Sequence, residues 1–523
     1  MPSTEVTAEE IPDGDALEVI MVSAQKRTER AQDVPVSVTS VDGEDLSYFQ
    51  GSGQDIRVLS GRAPSLILES SFGRVFPRAY IRGLGNTDFD LNASQPVSII
   101  LDDVVLENSI TKAFPLFDID QVEVLRGPQG TLFGRNTPAG IIKLSSRRPD
   151  YDDPSTMARL TFGSFNFTEA EVASNATLID QKLALRASAL YRRRSGWVTN
   201  ANPFLDDAPD LGGYEQLAGR LQLLYTPSSN FESLLTVKGH TLSSNTSRVF
   251  RANIIEPGTE DFVDGFSRDE VFHDGISDQE LDQWGTSLKL TYDAGEFSVV
   301  SITAYEVIED FTSRGDIDGG YGAAFLDDPD LVEDPPVSGP GLIPFTAESA
   351  DAIPGLYQFT QELRILSNDW DVLNYQAGLF FFREDFNIQS LNFDTLTPGN
   401  PLNGFATQSQ VNRAVGAFAS ATLDLHEKLR IGGGLRYTND VKDYSARRDI
   451  SPLSFLGVGP LARQSVDTGD NEELQKSYLS WDFTVRVQPT REITLFTRAA
   501  TAFRAPTIQG QLLIVQSVDV AGE

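Results

Sequence analysis

Cysteine is absent from the 523 residues, which removes disulfide frameworks, thiolate metal sites and cysteine nucleophiles from consideration. Histidine is nearly absent: His240, His273 and His426 stand far apart, without the spacing of a zinc ligand set. No metal and no cofactor is expected. Basic residues are scarce, 42 Lys and Arg against 75 Asp and Glu, for a formal net charge of −33. Nucleic-acid binding rests on Lys and Arg displacing counterions from phosphates, so that partner is excluded. No stretch of about 20 apolar residues occurs, which excludes a membrane-spanning helix. Met1 to Ala16 is acidic and lacks the basic start and apolar stretch of a secretory leader, so an exported form is expected to have lost its leader. There is no Gly-x-Ser-x-Gly elbow and no patterned His, and catalytic pairs do not stand out among 75 acids; an enzyme is not expected.

What is present suits an ordered chain, with 40% hydrophobic and 10% aromatic residues. Composition divides it near residue 150. Before that point lie short mixed segments and a glycine-dense stretch, Arg126 to Gly140; after it comes a long series of strand-like segments. Leu479, Trp481, Phe483, Val485 and Val487 interleave with Ser480, Asp482, Thr484, Arg486 and Gln488, the period of a strand between two environments. Leu429, Ile431, Leu435 and Tyr437 share a parity opposite Arg430, Gly432, Gly434 and Arg436, and the run from Leu183 to Tyr191 repeats the theme. A soluble sandwich or a propeller alternates in the same way.

The connections separate these architectures. Tight turns at 179–182, 226–230, 293–296, 367–371, 425–428 and 488–492 alternate with long acidic loops near 198–213, 247–278, 314–354, 392–408 and 450–475. Short turns on one side and long loops on the other are the asymmetry of an outer-membrane barrel, and no repeat period of a propeller is visible. In such a barrel Arg186, Arg430, Arg436 and Arg486 are expected to face the lumen, because a charge facing lipid at mid-depth costs a few kcal/mol.

The part before residue 150 carries recognisable motifs. LEVIMVSAQKR (Leu17 to Arg27), DVPVSVTSVDGEDL (Asp33 to Leu46), AYIRGLGN (Ala79 to Asn86), VSIILDDVVL (Val97 to Leu106) and VEVLRGPQGTLFGRNTPAGIIKLSSRRP (Val122 to Pro149) follow in order, and ATAFRAPTIQG stands at Ala500 to Gly510. Together they resemble TonB-dependent outer-membrane receptors of the ferric-siderophore type, strongest over residues 17–150; Ala139 stands where many members have Gly. The resemblance implies a TonB box at Glu18, Val19, Ile20, Met21, Val22 and Ser23 within an N-terminal periplasmic segment (1–30). An α+β plug domain (31–150) and an antiparallel transmembrane β-barrel (151–523) follow. It implies active import of a ferric siderophore across a Gram-negative outer membrane. The partners are TonB with its inner-membrane energising complex and outer-membrane lipid, and the protein is expected to be a monomer. Oligosaccharide, cobalamin or haem as cargo, and a passive porin or adhesin, are the alternatives.

The residues support these assignments independently. Glu18 to Ser23 is short, extended and β-branched, with no partner nearby in sequence, and suits addition as a strand to another protein's sheet edge. The Arg126 to Gly140 stretch is no phosphate loop: three residues separate Gly130 from Gly134, and Arg135-Asn136 follows where Lys-Ser/Thr belongs. Gly83 and Gly85 are followed by Asp88, which breaks the dinucleotide fingerprint. The glycines, with Pro128, are expected to permit tight turns where plug meets barrel (Gly83, Gly127, Gly130, Gly134). Arg82, Arg126 and Arg135, with Asn136 beside the last, are expected to bond lumen carboxylates. Phe72, Arg74, Phe76 and Arg78 form a loop suited to an anionic, aromatic ligand. About thirteen barrel strands are counted against roughly 22 in plugged transporters, so further strands are expected after Glu523.

Overall fold

The computed structural model describes residues 20–70, 72–201, 209–245, 254–256, 258–263, 265–271, 273, 275–316, 348–368, 372–393, 402–450, 464–467, 472–490 and 493–508. Two bodies of structure meet near residue 150, one enclosed by the other.

The first begins with a hairpin of β1 (Met21–Val22) and β2 (Glu29–Arg30). β3 (Ser37–Asp42) runs into α1 (Gly43–Phe49), where the Asp42 carboxylate accepts from the Glu44 N–H at 2.6 Å and caps the helix. A second hairpin joins β4 (Leu66–Glu69) and β5 (Arg78–Ile81). β6 (Val97–Leu101), β7 (Val104–Leu106), β8 (Ile119–Arg126), the single-turn α2 (Gly130–Phe133) and β9 (Gly140–Ser146) complete it. Five strands form a mixed sheet in the order β3-β8-β9-β6-β7, with β6 and β9 parallel. β6 and most of β9 are continuously apolar and fully buried, as strands covered on both faces must be. One face packs on α1 and the 56–59 turn through Leu46, Ile56, Leu59, Ile99, Val122 and Ile142.

The second body is one antiparallel sheet. Its strands begin with β10 (Thr156–Gly163), β11 (Phe167–Ile179) and β12 (Leu183–Arg194). In the loops, the short β13 (Thr199–Asn200) pairs with β16 (Glu270–Val271). The sheet continues through β14 (Tyr214–Ser228), β15 (Phe231–Ser244), β17 (Asp278–Asp293) and β18 (Phe297–Asp316). Next come β19 (Glu348–Ile353), β20 (Leu356–Ser367), β21 (Leu373–Phe393) and β22 (Leu402–His426). β23 (Leu429–Ile450), β24 (Gln464–Asp467), β25 (Glu472–Thr490) and β26 (Ile493–Ala500) close the series. The path runs β10-β11-β12-β14-β15-β17-β18-β19-β21-β22-β23-β25-β26, with β20 and β24 beside it. This has the thirteen positions expected, and all six tight turns fall where the sequence puts them. The acidic loops are shorter than expected, because β18, β22 and β23 extend into them and β19 forms inside the 314–354 stretch.

Alternation sets the two faces. Leu479 is 63% exposed and Phe483 50%, while Ser480 and Arg486 are buried: the apolar parity faces outward and the polar parity inward. Trp284, Tyr305 and Tyr357 cluster on the outer surface, and the Trp284 indole N–H donates to Glu309 at 2.8 Å. Parity reverses once within β18. Val300, Ile302, Ala304, Glu306 and Ile308 are buried, then Phe311 and Ser313, because the β17–β18 register slips at Asp282/Gln283 and leaves Glu309 and Asp310 both exposed. An inserted residue in one strand of a ladder has this effect.

Candidate functional site at the plug–wall interface

The start of the described chain is tied down at the short-turn end of the barrel. Glu18 and Val19 lie outside the described residues. Ile20 and Met21 are exposed, whereas Val22 is buried, so alternate residues of the segment face water and plug. The Ser23 N–H and hydroxyl donate to the Glu123 carboxylate at 3.0 and 2.6 Å, the Lys143 ammonium donates to the Ser23 hydroxyl, and Gln121 donates to the Met21 carbonyl. The segment thus has partners that sequence proximity did not reveal, namely β2 and the β8–β9 pair. Three residues on, Lys26 donates to Glu362 of β20 at 2.6 Å beneath the rings of Phe133 and Phe418. Burial pushes the Lys26 ammonium down to about 8 despite the Glu362 carboxylate beside it, with Arg364 adding to the depression. Arg27 donates to Ser367 and to the Tyr375 carbonyl, Glu29 faces Arg430 at 3.7 Å, and Asp33 accepts from Arg486 at 2.5 Å.

The glycine-dense stretch makes the tightest approach to the wall. A Cβ on Gly130 would stand 2.8 Å from the Ala502 Cα and the Ser480 hydroxyl, and Gly134, at φ +83°, abuts the Arg436 guanidinium. Gly127 turns the chain so that its N–H reaches the Ala139 carbonyl at 2.8 Å, with Pro128 half-buried behind it. Arg135 meets the lumen carboxylate Asp440 at 3.0 Å, as expected, and is also held by Glu107 at 2.9 Å, over the Phe382 ring. Asn136 bonds Glu107 and takes the Ala505 N–H at 2.8 Å. Arg126 does otherwise: it stays inside the plug, donating to the Pro64 carbonyl, Ser37 and Thr39. Arg82, at φ +53° beside Gly83, is exposed and has no ion pair to the lumen among the described residues. For these two the expected bond to a lumen carboxylate is corrected, because β3 and the 60s turn stand between them and the described wall.

The expected ligand loop is seated against the wall. Phe72 and Phe76, 3% and 0% exposed, pack 5.2 Å apart with Leu281, Phe311 and Ile353. Arg74 stacks on Tyr214 at 3.8 Å and donates to the Gly53 carbonyl; Arg78 pairs with Glu69 under the Phe89 ring. Burial leaves the two phenylalanine rings no free face for a ligand, which corrects that expectation for them.

The wall therefore has two sectors. From β11 to β21 the plug shares apolar clusters with it: Leu190 and Ala218 join the plug core, Leu242, Leu281, Ile308 and Phe311 surround Phe72 and Ile110, and Val300, Ile302 and Ala304 hold Val104. Asp118 adds a two-pronged ion pair with Arg186 at 2.6 and 2.8 Å, and Asp103 bonds Lys289 at 2.7 Å. From β22 to β25 the contacts are polar: Asn92 with Gln410, Ser94 with Lys442, Arg135 with Asp440, and Asp33 with Arg486. Among the described residues no shared apolar cluster includes a residue beyond Ile388. Below α2 this sector opens into a cavity of about 250 Å³ lined by Gln25, Gln129, Gln376, Ser420, Gly433 and Thr484, among others.

Arg186, Arg430, Arg436 and Arg486 all point inward, but their acidic partners, and Lys26 and Glu362, escaped sequence reasoning. Glu362 shares a parity with Gln358, Thr360 and Arg364, all buried, so alternation was the available signal.

A family model described as TonB-dependent Receptor Plug Domain matches residues 30–141, and one described as TonB dependent receptor-like, beta-barrel, matches residues 225–514. This chain belongs to the TonB-dependent receptor family. The receptor is 33% identical over 134 residues to the pesticin receptor of Yersinia pestis, a match covering 25% of this chain and 19% of that one. It is 35% identical over 75 residues to the ferrioxamine B receptor of Salmonella typhimurium, covering 14% and 10%. Among solved structures it resembles the ferric yersiniabactin uptake receptor of Yersinia pestis, with a TM-score of 0.69 at 17% identity over 89% of this chain and 64% of that chain. The ferric-catecholate import receptor of E. coli K12 in its open form gives 0.66 at 14%, over 91% and 71%. At these identities the likeness is one of fold, and the receptor chain spans 64% of the first structure's length.

Proposed function

We propose that the receptor imports a ferric-siderophore complex across the outer membrane of a Gram-negative bacterium, with TonB supplying the work through residues 18–23. The observation that carries this reading is a folded plug standing inside the barrel sheet, with the beginning of the chain at the short-turn end. A plug blocks passive flow, so passage requires work on the plug, and a porin or adhesin has no use for one. Ile20 and Met21 are the described residues of the segment that a periplasmic partner can reach. Capture as an added strand has to compete with β2 and Gln121 for the same main chain. The apolar outward face suits lipid around a single copy. The cargo is inferred from the family, since Phe72 and Phe76 are occupied by packing.

The test is growth of iron-starved cells on ferric hydroxamates, ferric catecholates and haem, and of suitable auxotrophs on cobalamin or oligosaccharides. Three strains are compared: gene intact, gene deleted, and residues 18–23 removed. Loss of growth on a ferric chelate in both altered strains is expected. Full growth without residues 18–23 rules out TonB coupling through them, and a defect confined to cobalamin or a sugar reassigns the cargo.

A further inference from the structure

We infer that cargo passes along the second sector of the wall, between the plug and β22–β25, while the plug stays seated on the first sector. This rests on the importer reading above.

The two sectors differ in what parting them from the plug would require. Separating Phe72, Ile110 and Val104 from the clusters on β12 to β21 exposes carbon to water, a loss that no solvent contact replaces. Separating Asn92 from Gln410, or Ser94 from Lys442, exchanges protein hydrogen bonds for water hydrogen bonds at small net cost. Buried polar atoms without a protein partner line this sector from top to bottom: Asn92 Oδ1, Glu384 Oε1, Thr131 Oγ1, Gln129 Nε2 and Gln376 Oε1. Such atoms mark sites where water is at home.

Room exists as well. The 250 Å³ cavity already separates plug from wall below α2, and there the wall has lost its side chains: Gly432, Gly433 and Gly434 stand beside Ser420, Ala421 and Thr422. Only the seat of α2, where Thr131 meets Gly434 and Gly130 meets Ser480, closes the column between this cavity and Arg135. Displacing that single turn joins the two. The column presents both signs of charge, Arg135 and Lys442 with Glu107, Glu384 and Asp440, which suits a hydrophilic solute rich in hydrogen-bonding groups.

The absence of cysteine gives a clean background for the test. Ser94→Cys and Ser480→Cys place thiols in the second sector, and Ala218→Cys and Ala304→Cys in the first; all four positions are buried at rest. Each variant is exposed in living cells to a small, membrane-impermeant, negatively charged methanethiosulfonate, with the proton-motive force intact or collapsed by an uncoupler. Correct assembly is checked by outer-membrane yield and protease resistance. At least tenfold faster labelling on energisation at 94 and 480, with less than twofold change at 218 and 304, is expected. Equal acceleration at all four overturns the inference in favour of a plug that leaves as a whole; acceleration at 218 and 304 alone, or at none, overturns it too. If none accelerates while growth on a ferric chelate still needs residues 18–23, the route is wrong and the importer reading stands; if growth does not need them, the reading fails first. As a second variant, Thr131→Cys with Gly434→Cys is designed to tether α2 to its seat. Growth on the chelate should be lost when the tether is oxidised and return with reductant, and undiminished growth of the oxidised form again overturns the inference.

Discussion

Against β11 to β21 the plug is seated by carbon on carbon, and against β22 to β25 by nitrogen on oxygen. Both sectors belong to one sheet and both follow the same inward–outward alternation, so the difference lies in which inward residues the sequence supplies. Leu242, Leu281, Ile308 and Phe311 occupy inward positions on the first sector; Gln410, Asn412, Asp440 and Lys442 occupy comparable ones on the second. Packed carbon fixes a position, because truncation leaves a cavity. A hydrogen-bonded surface fixes orientation while remaining exchangeable with water.

The largest expected effects fall on the first sector. Phe311→Ala should destabilise the purified receptor in urea by about 3–5 kcal/mol. Asp118→Ala, which strands the buried Arg186, should cost a similar ~3–5 kcal/mol; a loss below 1 kcal/mol for both would erase the distinction between sectors. Next comes Gly434→Ala, whose new methyl meets the Thr131 Cγ2 at 2.5 Å. A loss of about 1–3 kcal/mol through displacement of α2 is expected, with the Tm read in the same detergent.

The pH dependence of the N-terminal anchor is smaller. The docked Lys26 binds its proton less tightly than a free lysine, about 8 against 10.5. Docking therefore strengthens as pH rises from about 8 towards 10.5 and is weakest, and flat, below 8. A spin label at Ile20→Cys should report a released fraction that falls by at most about tenfold per pH unit across that window; Lys26→Met should flatten the profile, and an unchanged slope would acquit Lys26. Smallest of all is Gln410→Ala. Its partner Asn92 retains the Ile508 carbonyl at 3.1 Å, so less than about 1 kcal/mol should be lost in the same urea titration.

How much of this was legible follows from how local each signal is. Strand parity is local, and it placed Arg186, Arg430, Arg436 and Arg486 in the lumen and the turns at the correct residues. Arg135 was recognised through its motif, but Glu107 and Asp440 lie 28 and 305 positions away in a chain of 75 acids, and nothing in sequence couples them. The docking of Ser23 on Glu123 was invisible for the same reason. Phe72 and Phe76 were misread because an aromatic in a loop looks alike whether a ligand or a wall receives it. Parity also fails beyond Ile308, where one inserted residue moves Phe311 to the face that counting assigns to solvent.

That insertion also bears on membrane depth. The run from Phe297 to Ile308, at about 3.3 Å per residue and the usual barrel tilt, climbs about 25–30 Å, the height of the hydrocarbon layer such barrels inhabit. Directly above it the slipped register turns Glu309 and Asp310 outward in succession, with the Trp284–Tyr305–Tyr357 cluster just beneath. A bilayer of matching thickness meets aromatic rings at its edge and carboxylates in its headgroups. A thicker one would draw two adjacent acids into hydrocarbon, so the bulge sets an upper limit on the membrane that can hold this protein.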